Sequence, residues 1–277
     1  MKRGSPATRP PAPLAAMPEP VRRAIRYVLT DIDDTLTTGG KLTAEAYVAL
    51  QRLHDAGYVV VPVTGRPAGW CDHIARMWPV DAVVGENGAF YMRYDAHVGR
   101  LAARFVGAAT SAERAALRAR LAKIGALVLA AVPGAALASD QHFRETDLAI
   151  DWCEDVPALP RGEVDRIAAL MEAHGMTVKV SSIHVNGWFG GYDKLSTTRL
   201  LVREVFGEDL DAIRDAVVFA GDSPNDAPMF AWFPNAVGVA NLRDFLDRIG
   251  TPPAWITMRE AGSGFTELAE FLLATPR

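Results

Sequence analysis

Cysteine is nearly absent: Cys71 and Cys153 are the only two in 277 residues. Two distant cysteines build no disulfide framework, and no Cys/His cluster with zinc spacing accompanies them, so a reducing cytoplasm is the expected compartment. No apolar run approaches the roughly 18–20 residues of a membrane-spanning helix. No excess charge of one sign exists either. Lys and Arg number 29 against 33 Asp and Glu, a net charge of -4, which favours neither nucleic acid nor an anionic membrane surface. The opening "MKRGSPATRPPAPLAAMPEP" starts basic, but prolines interrupt it and no apolar core follows. Residues 1–20 are expected to form a disordered tail rather than a signal peptide, with Met17 an alternative initiator.

What is present is an ordinary globular balance, 49% hydrophobic and 22% charged. The runs "AIRYVLT" (24–30), "YVVVPV" (58–63), "DAVVG" (81–85), "AVVFAG" (216–221) and "NAVGVA" (235–240) are apolar on both alternating faces. That pattern suits strands of a parallel sheet covered on both sides. Helical patterns separate them. "TAEAYVALQRLHDAG" has Thr43 as N-cap and stops at Gly57; "KLSTTRLLVREVFG" (194–207) and "FTELAEFLLA" (265–274) read likewise. The expectation is an α/β fold with a doubly wound, Rossmann-like, mostly parallel sheet. The middle differs: a helix over 110–125, strands in "ALVLAAV" and "ETDLAIDW", a helix over 162–175, then the extended pieces "MTVKVSSI" and "HVNGWFG". This order predicts an inserted α+β cap over 106–188, with the core formed by 21–105 and 189–277.

In "VLTDIDDTLTTGG" three aspartates, Asp31, Asp33 and Asp34, crowd directly behind an apolar run. Such crowding is costly unless a cation or hydrogen bonds compensate. Ligands of doubly wound sheets bind beyond the carboxyl ends of the strands. To that edge the sequence delivers Asp31 and Asp33, then Thr64, Gly65 and Arg66 in "VPVTGRP", then Asp222, Asn225 and Asp226 in "VVFAGDSPNDAPMF". Lys194 begins the helix leading into the third strand. The set fits phosphoryl transfer, which needs a nucleophile, a hard cation, neutralised phosphoryl oxygens and a proton donor for the leaving group. Asp31 is then the nucleophile and Asp33 the general acid and base. Asp31 and Asp222 share Mg²⁺, with Asp226 ligating directly or through water. The Thr64 hydroxyl, Lys194 and backbone N–H groups near 32–33 and 65 bind phosphate.

The ordered set "DIDDTLT", "VTGR", "YDK" and "GDSPNDAPMF" resembles the haloacid dehalogenase superfamily of phosphatases. The likeness is to its branch with a large cap between the second and third motifs, which includes sugar-phosphate, sucrose-phosphate and mannosyl-phosphoglycerate phosphatases. It runs from about residue 25 to the C-terminus, the cap by size and pattern only. It implies an aspartyl-phosphate on Asp31, acid–base work by Asp33, phosphate binding by Thr64 and Lys194, and metal binding by Asp222 and Asp226. The Asp33 backbone carbonyl would complete the protein's metal ligands. "GENGA" (85–89) is similar to the family's loop near the leaving group, which makes Asn87 a substrate contact.

The expected activity is Mg²⁺-dependent hydrolysis of a small phosphorylated metabolite, of the sugar-phosphate kind, with no nucleic-acid or membrane partner and the oligomeric state open. A hexose phosphomutase shares this chemistry, and a phospho-accepting signalling module shares part of it. Outside the core, readings stay paired. Arg66 orients substrate or pairs with an acid. His184 and Asn186 contact substrate or pack the return from the cap, and Asn225 is a further substrate candidate. Gln141, His142 and Arg144 read the leaving group or are exposed. Asp226 binds metal or caps a helix. The basic residues of helix 110–125 are expected as a solvated face.

Overall fold

A computed structural model describes residues 10–181 and 183–274. In chain order the strands are β1 (Ala12–Pro13), β2 (Tyr27–Thr30), β3 (Thr37–Thr38), β4 (Lys41–Leu42), β5 (Val59–Pro62), β6 (Val83–Gly85), β7 (Phe90–Asp95), β8 (Arg100–Phe105), β9 (Ala136–Leu137), β10 (Asp147–Asp151), β11 (Thr177–Val180), β12 (His184–Trp188), β13 (Val217–Gly221), β14 (Val237–Gly238) and β15 (Trp255–Ile256). The α-helices are α1 (Glu19–Ala24), α2 (Ala44–Asp55), α3 (Ala68–Met77), α4 (Ser111–Ala131), α5 (Arg161–Ala173), α6 (Lys194–Leu201), α7 (Ala227–Trp232) and α8 (Ala261–Leu273). The chain divides into two compact units. One runs to Pro62 and resumes at Glu208; the other is Val63–Gly207.

The first unit is built on a parallel sheet of order β1-β15-β14-β13-β2-β5. Its central strands β2 and β13 are buried at every position, as a sheet covered on both faces requires. Thr30 is in register with Ala220 and with Pro62, so these three strands end side by side. Helix α2 starts where Thr43 Oγ1 accepts the Ala46 N–H at 3.3 Å, and it buries Ala46, Ala49, Leu50 and Leu53 along one stripe. Helix α8 packs against it and begins at Ala261, four residues before the expected start.

Two strands of this sheet went unread in the sequence. β1 and β15 are two residues long, too short for a periodicity. β1 also corrects the expected disordered tail. From Pro10 onward the chain is ordered: Ala12 and Pro13 pair with Trp255 and Ile256, and Leu14 and Met17 are buried. Residues 1–9 of that expectation lie outside the described residues.

In the second unit β6 pairs antiparallel with β7, and β7 with β8, giving a three-stranded sheet in place of the fifth parallel strand expected over 81–85. Only an isolated parallel bridge joins Val63 to Val84. The unit's second sheet is antiparallel, of order β11-β12-β10-β9, with α4 and α5 on one face. Leu148, Ile150 and Val185 pack there against Ile124, Val128, Val164, Ile167 and Met171.

The run "ALVLAAV", expected as a strand, is the C-terminal part of α4. Leu121, Ile124 and Val128 are buried at helical spacing, and the helix continues through Gly125 instead of stopping there. A Cβ on Gly125 would stand 3.2 Å from both Leu137 and Leu148, so this glycine serves close helix–sheet packing. A capping box of Thr110 and Glu113 starts the helix, at the end where a helix over 110–125 was expected to begin. Among the described residues, no helix is long and apolar enough to cross a membrane.

Candidate active site

The first unit gathers the acids of the first and last motifs at the carboxyl edge of its sheet. Asp31 follows β2 and Asp222 follows β13. With Asp226, each offers a carboxylate oxygen, the three lying within 4.8 Å of one another, and all three residues are buried. The surrounding donors orient these carboxylates. The Ile32 N–H donates to Asp31 Oδ1 at 2.8 Å, the Thr35 hydroxyl to Asp222 Oδ1 at 3.2 Å, and the Asp222 N–H to Asp226 Oδ2 at 3.2 Å.

Asp226 precedes α7 but makes no side-chain cap bond to it, so the capping alternative is set aside. A Cβ on Gly221 would come within 2.5 Å of Asp226 Oδ2; the site needs glycine at the strand end to fit that carboxylate. Hard oxygen donors converging at this separation suit a small divalent cation such as Mg²⁺. Asp33 is half-buried two residues beyond Asp31, and its carboxylate is not one of the three that converge. Asp34 takes a left-handed conformation (φ 53) while its N–H donates to Thr37 Oγ1, a turn role. Asn225 accepts a 2.8 Å hydrogen bond from Ser223 in the same loop.

The second unit gathers the residues of the middle motifs. Thr64 is buried; its N–H donates to the Val84 carbonyl, and its Oγ1 accepts the Arg66 N–H at 3.0 Å. The Asn87 N–H donates to the Thr64 carbonyl at 3.0 Å, which ties the "GENGA" loop to the "TGR" turn. Asn87 is left-handed (φ 55) and buried, and among the described residues its Nδ2 has no hydrogen-bond partner; it faces Gly65. Gly88, at φ +107, packs so tightly that a Cβ would stand 2.1 Å from the Asp193 carbonyl oxygen. Asp193 in turn caps α6 in a capping box with Ser196, and Lys194 is the first helical residue, buried. The loop and the helix start therefore hold Thr64, Gly65, Asn87 and the Lys194 backbone in one neighbourhood. Helix α6 is shorter than expected: it passes at Val202 into a π-helical turn ending at Gly207.

The outer candidates are committed to acids. The Arg66 guanidinium lies 3.4 Å from Asp140 and 3.1 Å from Glu154, over the Trp70 ring. His184 Nε2 is 2.8 Å from Glu154 Oε2, and Asn186 donates to Asp147 Oδ2 at 3.1 Å. Gln141 and Arg144 are not an exposed loop. Gln141 bridges the backbone of Asp147 and Ala149, and buried Arg144 pairs with Asp140 and Asp147 and donates to the Gly65 carbonyl at 2.9 Å. On α4, Arg114 and Arg118 pair with Glu145, and Arg120 stacks on Phe189, so that face is less free than expected.

Sequence reasoning missed the acids: Glu86, Asp140, Asp147 and Glu154. The alternation "DLAID" was a visible signal for Asp147 alone. Glu86, fully buried, accepts N–H bonds from Ala68, Glu145 and Thr146; burial and Asp147 push its carboxyl up to about 7, against these donors. Glu154 goes the other way, pulled down to about 2 by His184 and Arg66.

Residues 28–101 match the family profile described as haloacid dehalogenase-like hydrolase. The phosphoglycolate phosphatase of Pyrobaculum neutrophilum is 28% identical over 255 residues, 90% of this chain and 96% of that protein. Among solved structures, the C-terminal domain of Candida albicans trehalose-6-phosphate phosphatase superposes with a TM-score of 0.68 at 13% identity, over 97% of this chain and 99% of that one. The sucrose-phosphatase of Synechocystis gives 0.60 at 14% identity, over 89% and 97%. At these identities the two structures speak for the fold. Fold and matches together define an α/β enzyme, a hydrolase of the phosphatase class. The resemblance of the motifs to the haloacid dehalogenase-like hydrolases is borne out by these matches, the family profile covering residues 28–101.

Proposed function

We propose that the chain is a Mg²⁺-dependent phosphomonoesterase that hydrolyses a small phosphorylated metabolite of the sugar-phosphate kind through an aspartyl-phosphate on Asp31. The convergence of buried Asp31, Asp222 and Asp226 at the strand edge is the observation that carries this reading. These carboxylates, with the Asp33 carbonyl, would hold the cation. When bound, it offsets the negative charge of the phosphoryl oxygens.

Asp31, with one oxygen fixed by the Ile32 N–H, attacks phosphorus with the other; an O–P bond forms as the P–O bond to the leaving group breaks. Asp33 gives its proton to the departing oxygen, then takes one from the water that attacks the aspartyl-phosphate. Thr64, the Gly65 amide and Lys194 bind the phosphoryl oxygens, and Asn87, with its uncommitted Nδ2, addresses the leaving group. The segment 106–188 is proposed as the cap, which excludes bulk water and selects the leaving group. Cys71 and Cys153 form no disulfide, which fits a reducing cytoplasm.

The test is hydrolysis of p-nitrophenyl phosphate. Wild type with Mg²⁺ turns it over and chelation by EDTA stops it. Asp31→Asn abolishes turnover while its circular dichroism stays native. Turnover retained by Asp31→Asn removes the covalent mechanism.

A further inference from the structure

The antiparallel sheet of the second unit has two unlike faces. Direct register partners share a face, so Asp147, Asp151, His184, Asn186 and Trp188 stand together opposite the face that packs on α4 and α5. This polar face adjoins the Thr64–Arg66 turn: Arg66 reaches Asp140 and Glu154 from it, and Arg144 reaches back to the Gly65 carbonyl. Both guanidiniums are matched, Arg66 by Asp140 and Glu154, Arg144 by Asp140 and Asp147. With Asp151 added, the carboxylates of this face, Asp140, Asp147, Asp151 and Glu154, outnumber its two paired guanidiniums. Glu154 is the acid most open to solvent among those paired with Arg66 and Arg144, its side chain 28% exposed.

We infer that this face selects an uncharged, polyhydroxyl leaving group and rejects one bearing a carboxylate, with Glu154 as the specificity-determining residue. The inference rests on the phosphatase reading and goes beyond it. A carboxylate approaching here would meet surplus negative charge and guanidiniums already paired, a repulsive element of the kind that sets specificity. Sugar hydroxyls instead donate to carboxylate oxygens, and Glu154 keeps lone pairs beyond its bonds to Arg66 and His184. Trp70 and Phe143, 41% and 46% exposed on and against α3, add apolar surface suited to a sugar ring. Lys179, register partner of Asn186, is the remaining exposed cation on the polar face among the described residues. The preference inferred differs from the acidic substrate in the name of the Pyrobaculum relative.

The test compares sorbitol 6-phosphate with 6-phosphogluconate, which differ only in a terminal CH₂OH or carboxylate, with p-nitrophenyl phosphate as reference. Wild type should favour the sorbitol ester in kcat/KM by about tenfold or more. Glu154→Gln should bring that ratio close to one, and Glu154→Asp, which keeps the charge, should preserve the preference. Equal or better use of phosphogluconate by wild type overturns the inference, more so if Lys179→Ala abolishes it. A ratio unchanged in Glu154→Gln, with a native melting transition, overturns the role of Glu154. No turnover of the reference ester by wild type would instead fell the phosphatase reading beneath it.

Discussion

Asp31 and Glu154 are both carboxylates, yet their surroundings give them different work. Asp31 shares its strand edge with two further acids, and one of its oxygens accepts the Ile32 N–H. Glu154 is held by a guanidinium and an imidazole, which lower its pKa to about 2 from an ordinary carboxylate value. A depressed carboxylate contributes stability above its unfolded pKa and loses it as pH falls through the folded one. Wild type should therefore lose stability between about pH 4.5 and 2 through this group, by on the order of 1 kcal/mol once solvent screening of a half-buried site is allowed for. Glu154→Gln should lose correspondingly less over that window, measured by urea denaturation at pH 5.5 and 3. Parallel acid profiles for the two proteins would refute this.

At the level of elements, glycine fit and helix capping position the site more than regular secondary structure does. The Asp193 side chain caps α6 through the Ser196 N–H at 2.7 Å, and its carbonyl packs on Gly88. One residue thus anchors the start of the helix that carries Lys194 and the loop that carries Asn87. Asp193→Ala should cost about 1 kcal/mol in chemical denaturation, a usual N-cap loss, and should raise KM for p-nitrophenyl phosphate. Asp193→Ser, which keeps a capping oxygen, should recover most of both. This element was readable in "YDKLS". The course of α4 was not: its apolar run "ALVLAAV" suits a strand or a buried helix equally, and only packing against β10 and α5 chooses.

For the whole molecule, the N-terminal segment closes a sheet edge. β1 covers β15, and Leu14 and Met17 are buried. A chain lacking residues 1–16 loses Leu14 and β1 together. It should be less stable by about 2–3 kcal/mol, the scale of one buried leucine, and more prone to aggregate at the bared edge, checked by thermal melting and light scattering. A truncated chain with the full-length melting temperature would contradict this. The sequence by itself determined the α/β class, the two-sided burial of β2 and β13, and the positions of Asp31, Thr64, Lys194, Asp222 and Asp226 at element ends. These follow from local pattern, because a run apolar on both faces must be covered and a motif at its end falls on the sheet's edge. Only the tertiary structure decided that Asp226 joins the acid cluster rather than capping α7, that Arg66 and Arg144 are matched by carboxylates, and that short β1 is ordered. Apart from Asp222 beside Asp226 and the acids three and four residues from Arg144, the partners lie dozens to hundreds of residues away, and electrostatic pairing and edge closure leave no period in the chain from which to read them.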